Sequence, residues 1–221
     1  MKKLNFTFGI VTSNRICVFM PQILHSIRSL NNLERNNYEI VVVGGPSNYN
    51  GDNDFKHIPF DDTPRIALKK NLIAESATKE NIVFLHDYFA FDPDWYNGFL
   101  EFGDHWDVCM NMIINTDGRR FRDWLAWDDP KNQTIDGKVG LLAPYSYDKF
   151  KHMYISGAYW VAKTQLMKKE PLNKWFHWGE CEDLEWSKRV LRKGYKYKMN
   201  TLSVVHVIKP YKETGFKYMI E

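Results

Sequence analysis

The sequence predicts an α/β fold, a mostly parallel central sheet flanked by helices. Three observations carry this. Two strand-type runs, NFTFGIVT (5–12) and YEIVVV (38–43), enclose a helical segment, giving a β-α-β start. The second run is continuously apolar, as strands buried on both faces of a parallel sheet are. A third such run, NIVFL (81–85), follows another helical segment. Parallel strands joined this way take right-handed crossovers, and ligands settle at their carboxyl ends. Those ends are Thr12-Ser13-Asn14, Gly44-Gly45 and His86-Asp87, so Thr12, Gly44 and Asp87 are expected around one crevice.

Length and composition fit this class. The 221 residues suit one domain with a sizeable core. Hydrophobic content of 44% and charged content of 26% are ordinary for a soluble protein. Eight tryptophans suit stacking on a sugar or base, and equally a bulky core. A net charge of +3 is too small to argue for nucleic acid. Cys17, Cys109 and Cys181 are odd in number and widely spaced, which predicts a reducing, cytoplasmic setting and no disulfide framework. No apolar run is long enough to span a bilayer.

Each element follows in order. After the first strand, Phe19 to Asn31 reads as a helix with Ile23, Leu24, Ile27 and Leu30 on one face. Gly44-Gly45-Pro46 ends the second strand and by itself reads as a turn. Residues 46–63 are polar and turn-rich, with one short strand expected around 56–60. Pro64 to Thr78 reads as a helix, with Pro64 in its first turn and Ile66, Leu68, Leu72, Ile73 and Ala77 inside. Lys69, Lys70 and Asn71 lie within it. Residues 91–103 suggest a turn and short helix with Asp94 as cap, and Trp106 to Asn115 a further strand. From Thr116 to Lys151 the chain has no clear period. Irregular stretches of that length are usually functional or mobile, and Trp124, Trp127 and Tyr145 in this one suit either stacking on a sugar or anchoring a surface loop. Met153 to Val161 reads as a strand with Gly157 at a point of close approach. A helix from Lys163 to Lys169 precedes the acidic stretch, and Leu202 to Val207 is a strand carrying His206. The tail from Lys209 is basic and aromatic. It reads as a cover for the site, a membrane-surface contact or a loose end.

The most informative stretch is HWGECEDLEWSKRVLRKGYKY, His177 to Tyr197. Glu180, Glu182, Asp183 and Glu185 fall within six positions, ahead of Leu184, Trp186, Val190 and Leu191 at helical spacing. Acids at a helix start and bases at its end complement the macrodipole, which explains one or two acids. A cluster that follows Trp175, Phe176, Trp178 and Gly179 points further. A carboxylate beside aromatic walls can serve as a general base.

WGECEDLEWSKR resembles the Glu-Asp segment of nucleotide-sugar glycosyltransferases with the GT-A fold. There the Asp of the pair deprotonates the acceptor hydroxyl in inverting members. The resemblance implies Asp183 as base with Glu182 beside it, and it matches Arg189 to the family's helix Arg. KKN followed by ENIVFLHDYF is similar to the helix, strand and D-x-D motif that holds a divalent cation on the donor diphosphate. His86-Asp87-Tyr88 stands there, with Tyr88 replacing the usual Asp, and Gly44 replaces the Asp that often meets the nucleoside. The Ser156-Gly157-Ala158 step resembles the small-residue step under the sugar, and His206 the late histidine ligand.

Carried over in full, the resemblance implies a single catalytic domain over 1–221. Its nucleotide-sugar half covers about 1–105 and its acceptor half about 106–221. Thr12, Ser13, Asn14, Arg15, Gly44, Gly45, Lys70, His86, Asp87 and Gly157 would line a UDP- or GDP-type sugar. Trp124, Trp127, Trp178 and Glu180 would meet a glycan or lipid-linked acceptor. Asp87 and His206 would hold manganese or magnesium. The resemblance leaves inversion or retention open. Two other readings are a nucleotidyltransferase, although TSNR lacks its Gly-rich triphosphate loop, and a non-catalytic sugar-binding relic, motivated by Gly44 and Tyr88.

Overall fold

The computed structural model describes residues 3–13, 18–45, 55–60, 64–126, 141–147 and 153–210, and the backbone of 217–218. In chain order the strands and helices are β1 (Phe6–Val11), α1 (Met20–Arg28), β2 (Tyr38–Val43), β3 (Lys56–Ile58), α2 (Ile66–Ser76), β4 (Asn81–His86), β5 (Phe89–Phe91), α3 (Trp95–Phe102), β6 (Val108–Ile114), β7 (Leu125–Ala126), β8 (Leu141–Leu142), β9 (Met153–Tyr154), β10 (Tyr159–Lys163), α4 (Thr164–Lys169), α5 (Glu182–Arg192), β11 (Tyr197–Val207) and β12 (Lys217–Tyr218).

Eight strands make one curled sheet in the order β3-β2-β1-β4-β10-β6-β11-β5. β3, β2, β1 and β4 run parallel. β10 lies antiparallel between β4 and β6, β11 runs parallel to β6, and β5 antiparallel to β11. Burial on both faces explains the unbroken apolar runs. In β4, Val83 and Leu85 enter one core with α1 and α3, while Ile82 and Phe84 enter a second with α2 and α5. A small second sheet, β12-β8-β7-β9, sits beside the large one.

Three expectations change. The run 153–161 is two strands in different sheets, β9 and β10, separated by a turn at Ser156–Ala158. The segments 195–199 and 202–207 join into one strand, β11, with a register shift between Asn200 and Val204. The helix α2 turns Lys69, Lys70 and Asn71 inward, and Leu68 and Leu72 stay only partly buried. Each buried polar group of this trio has a partner. Asn71 exchanges two hydrogen bonds with the Leu172 backbone, and the lysines meet oxygens near the crevice. Paired polar groups can be buried where bare ones cannot. Among the described residues, no helix is long and apolar enough to cross a membrane.

Candidate active site

The carboxyl ends of β1 and β4, the start of β10 and the end of β11 all reach one edge of the sheet. Two adjoining pockets open there. The first, about 320 Å³, is lined by Thr12, Ser13, Lys69, His86, Asp87 and Lys209 among others. The second, about 300 Å³, shares His86, Tyr88, Trp178 and Lys209 and adds Arg122, Tyr154, Gly157, Glu182 and Asp183. A larger hollow of about 630 Å³ lies at the opposite edge, between Glu80, Asp107 and Lys163. We take the smaller pair as the site, because they gather the carboxylates, the imidazole and the close glycine contact at the strand ends where ligands bind.

Asp183 lines the second pocket. It sits in the first turn of α5, whose preceding residue, Cys181, is left-handed at φ 62° and makes no side-chain cap bond. Asp183 Oδ2 accepts the Gly157 N–H at 2.8 Å, and Oδ1 accepts the Leu184 N–H at 2.9 Å. Burial, and then the neighbouring Glu182 carboxylate, raise the Asp183 carboxyl to about 6. The Lys70 ammonium and the two backbone N–H groups pull the other way. A carboxylate tuned toward neutrality is a stronger base than an exposed Asp. The glycine matters here. A Cβ placed on Gly157 would lie 2.7 Å from Asp183 Oδ2. Gly157→Ala is therefore expected to push the carboxylate aside and lower turnover by about 100-fold, since misplacement by an ångström costs that much. Comparing turnover and melting temperature of that variant checks the point.

Glu182 is not free to act as a base. Its Oε1 receives the Lys70 ammonium at 2.6 Å, and both side chains are buried. Lys70 also donates to the Gly157 carbonyl at 2.8 Å and lies 4.8 Å over the Trp160 ring. This corrects the expectation that Lys70 meets the nucleotide. It is 1% exposed and lines neither pocket, because its ammonium is drawn inward by two oxygens. The pocket lysine on α2 is its neighbour Lys69, which donates to the Thr12 carbonyl at 3.0 Å. Helical spacing could not separate the two, since adjacent residues differ by about 100° around the axis.

In the first pocket, Thr12 Oγ1 donates to Asp87 Oδ2 at 2.6 Å. His86 is buried, and its Nε2 has no partner among the described residues. Burial, followed by the ammonium groups of Lys70, Lys209 and Lys69, holds its imidazole well below the usual range, so it is neutral. The exposed Trp178 ring lies over it, with centroids 5.2 Å apart. Trp178 is placed by its own N–H, which donates to the Pro64 carbonyl at 2.8 Å. It lines both pockets.

Other predicted positions fall elsewhere. His206 Nε2 faces Asp92 Oδ2 at 3.7 Å and lines neither pocket, so it does not join Asp87. Its strand does reach the site, but through Lys209, beyond the strand end. Trp124 is a core residue, 1% exposed, with its Nε1 donating to the Tyr147 carbonyl, so it is not an acceptor platform. Glu180 closes a turn by accepting the His177 N–H at 2.7 Å and lines neither pocket. Gly44 and Gly45 line neither pocket. Gly44 has φ 120°, and a side chain there would collide with the Thr12 carbonyl, so the pair lets the ends of β1 and β2 close together. Arg189 bonds Glu185, Glu170 and the Pro171 carbonyl, fastening α5 to the segment after α4. Asn14, Arg15 and Trp127 lie outside the described residues. Arg122, Tyr154, Lys69 and Lys209 were not singled out from sequence for the site. The basic tail and the irregular 116–151 stretch held the only signals for two of them.

The fit of a divalent cation can be judged from the donors. Among the described residues no three His, Cys, Asp or Glu side chains gather around one point. Asp87 and the unpartnered His86 Nε2 do share the first pocket. One carboxylate and one neutral imidazole suit manganese, and such ions commonly take their remaining ligands from phosphate oxygens and water. These two residues therefore fit a cation delivered with a phosphate ligand, in place of the expected Asp87–His206 pair.

No protein-family model matches this chain, and no curated protein matches it significantly. Solved structures do. S. aureus TarS superposes with a TM-score of 0.65 at 14% identity, over 93% of this chain and 37% of that one. Its 1–349 fragment gives 0.59 at 15% identity, over 94% and 59%. GalNAc-T7 with UDP, GalNAc and Mn2+ gives 0.68 at 14% identity, over 95% and 44%. The chain thus spans less than two thirds of each. These neighbours are GT-A glycosyltransferases, and the fold of this chain is GT-A.

Proposed function

We propose that this protein is a glycosyltransferase moving a sugar from a nucleotide-diphosphate donor to a hydroxyl of a glycan or lipid-linked acceptor, with inversion. The observation that carries this is Asp183, a carboxylate poised near neutrality and pinned by Gly157, beside a pocket carrying two lysines. Cations in the first pocket suit a diphosphate, and the carboxylate-bearing second pocket suits a neutral sugar and an incoming hydroxyl.

In this reading the acceptor hydroxyl enters the second pocket and its proton passes to Asp183. The freed oxygen bonds to the anomeric carbon as the bond from that carbon to the diphosphate breaks. The diphosphate leaves with the electron pair, on the side away from the base. Lys69 and Lys209 face its negative charge. A cation held by Asp87 and His86 would add charge stabilisation there. Because the base must be ionised, kcat/KM should climb with pH up to about 6 and level off above it.

A thermal-shift panel of UDP, UDP-glucose, UDP-N-acetylglucosamine and GDP-mannose, with manganese or with EDTA, tests the reading. A bound ligand raises the melting temperature by mass action. We expect at least one nucleotide to do so, more strongly with manganese. Hydrolysis of the same panel separates an enzyme from a sugar-binding relic. A flat response to every member in both conditions would overturn the donor class.

A further inference from the structure

Lys70, Gly157, Asp183 and Glu182 form a closed ring of contacts. Lys70 Nζ donates to the Gly157 carbonyl at 2.8 Å and to Glu182 Oε1 at 2.6 Å. The N–H of the same glycine donates to Asp183 Oδ2 at 2.8 Å. Glu182 and Asp183 are consecutive, which closes the ring. Gly157 is thus held at both ends, its carbonyl by a lysine and its N–H by the carboxylate it positions. A buried ion pair is weak evidence for stability, since well-packed apolar side chains often do as well. Its place here is what is informative. Glu182 reaches the wall of the second pocket, while Lys70 stays behind it and does not enter.

We propose that Lys70 and Glu182 are positioning residues that act through Gly157 to fix and charge-tune the Asp183 carboxylate. This rests on the reading of Asp183 as base. Lys70 holds the carbonyl of the Gly157–Ala158 peptide and Asp183 takes the N–H of the Ser156–Gly157 peptide, so the two bonds together fix the backbone at Gly157 and select one carboxylate orientation. Glu182 supplies a negative charge next in the chain, which keeps Asp183 basic, while the Lys70 contact holds the Glu182 carboxylate in place. Other groups facing Asp183 are Cys181 on its own segment, Tyr154 of β9 and Tyr197 of β11. Arg122, His86 and Lys209 lie on the pocket wall. None of these closes a ring through the Gly157 peptide in the contacts described above.

The test uses the full chain and two variants. Glu182→Gln keeps the size and a hydrogen bond to Lys70 but removes the charge. Carbon NMR of the Asp183 carboxyl in the ligand-free protein should show its titration moving to lower pH. The acid limb of kcat/KM should move the same way, measured on whichever panel nucleotide sugar the wild type hydrolyses fastest. The double variant Lys70→Met/Glu182→Leu removes both charges together, so no lone buried charge remains. It should fold, bind UDP within about twofold of wild type, and lose roughly 100-fold in turnover, the cost of a misplaced group. Unmoved titration in Glu182→Gln overturns the proposal. So does a folded double variant with normal turnover, or one whose defect is in UDP affinity. If the double variant fails to fold, the titration alone decides. A fully active Asp183→Asn would instead overturn the base assignment, and an Asp183→Asn without turnover beside an active double variant would overturn only the ring.

Discussion

Asp183→Asn is expected to lower turnover by about two to four orders of magnitude, the usual worth of a general base, with nucleotide affinity unchanged. The side chain keeps its size, and its carboxamide oxygen can still take the Gly157 N–H while the Leu184 N–H at the helix start gives up its side-chain partner, so the main anchor survives while proton acceptance is lost. Stability should move in the opposite sense. The folded-state carboxyl is raised to about 6 from an ordinary value near 3.8. A raised acid favours the folded state when protonated. That contribution is complete below the unfolded value and fades as pH rises through about 6. At pH 8 the ionised, desolvated carboxylate beside Glu182 is therefore a burden on the fold. Asn removes it, so the variant should melt at the wild-type temperature or above. Turnover lost with stability kept or gained is the signature of a base. Turnover kept with stability lost would mark Asp183 as a helix-end residue. One variant measured for both quantities at pH 8 decides.

Lys70→Met is expected to destabilise the protein by roughly 3–5 kcal/mol, the cost of leaving one member of a buried pair without its partner. Glu182 would remain in the interior with its Oε1 stripped of a 2.6 Å contact, and the Gly157 carbonyl would lose its ammonium. For a chain of this size each kcal/mol shifts the melting temperature by about 2–4 °C, so a fall on the order of 10 °C should be visible. A surface lysine that merely touched nucleotide would show no such fall. It would weaken UDP binding and leave the melting temperature of the ligand-free protein alone, and that outcome would overturn the interior role.

Much of the fold was legible because burial on two faces writes itself into sequence. The runs 38–43 and 81–85 carry no polar alternation, and both became central parallel strands. Short strands left no such trace. β5 and the two-residue pieces β7, β8 and β9 are held by pairing partners far along the chain, which local pattern does not encode. In the candidate site, Asp183 and Gly157 were both picked out from sequence, and the structure brings them into contact, since a glycine allows the 2.8 Å approach. Lys70 and His206 were misplaced for a common reason. Their side chains are long or sit on partly exposed faces, and their direction is set by which counter-charge folding delivers, Glu182 for one and Asp92 for the other. Trp124 shows the same limit for aromatics, since a ring suited to stacking on sugar is equally suited to a core.

The break between β9 and β10 bears on how this protein can be re-engineered. The chain leaves the small sheet at Tyr154 and enters the large one at Tyr159, and the residue that pins the carboxylate lies in that crossing. A chain break at Gly157 would spare every pairing between named strands and part the residue that anchors Asp183, so the cost should fall on turnover more than on the sheet. The exposed turn at Gly118 is a better place for new termini or an inserted reporter. Nothing lies within 4 Å of a side chain added there, and the turn carries short-range bonds around Asn115 and Arg119.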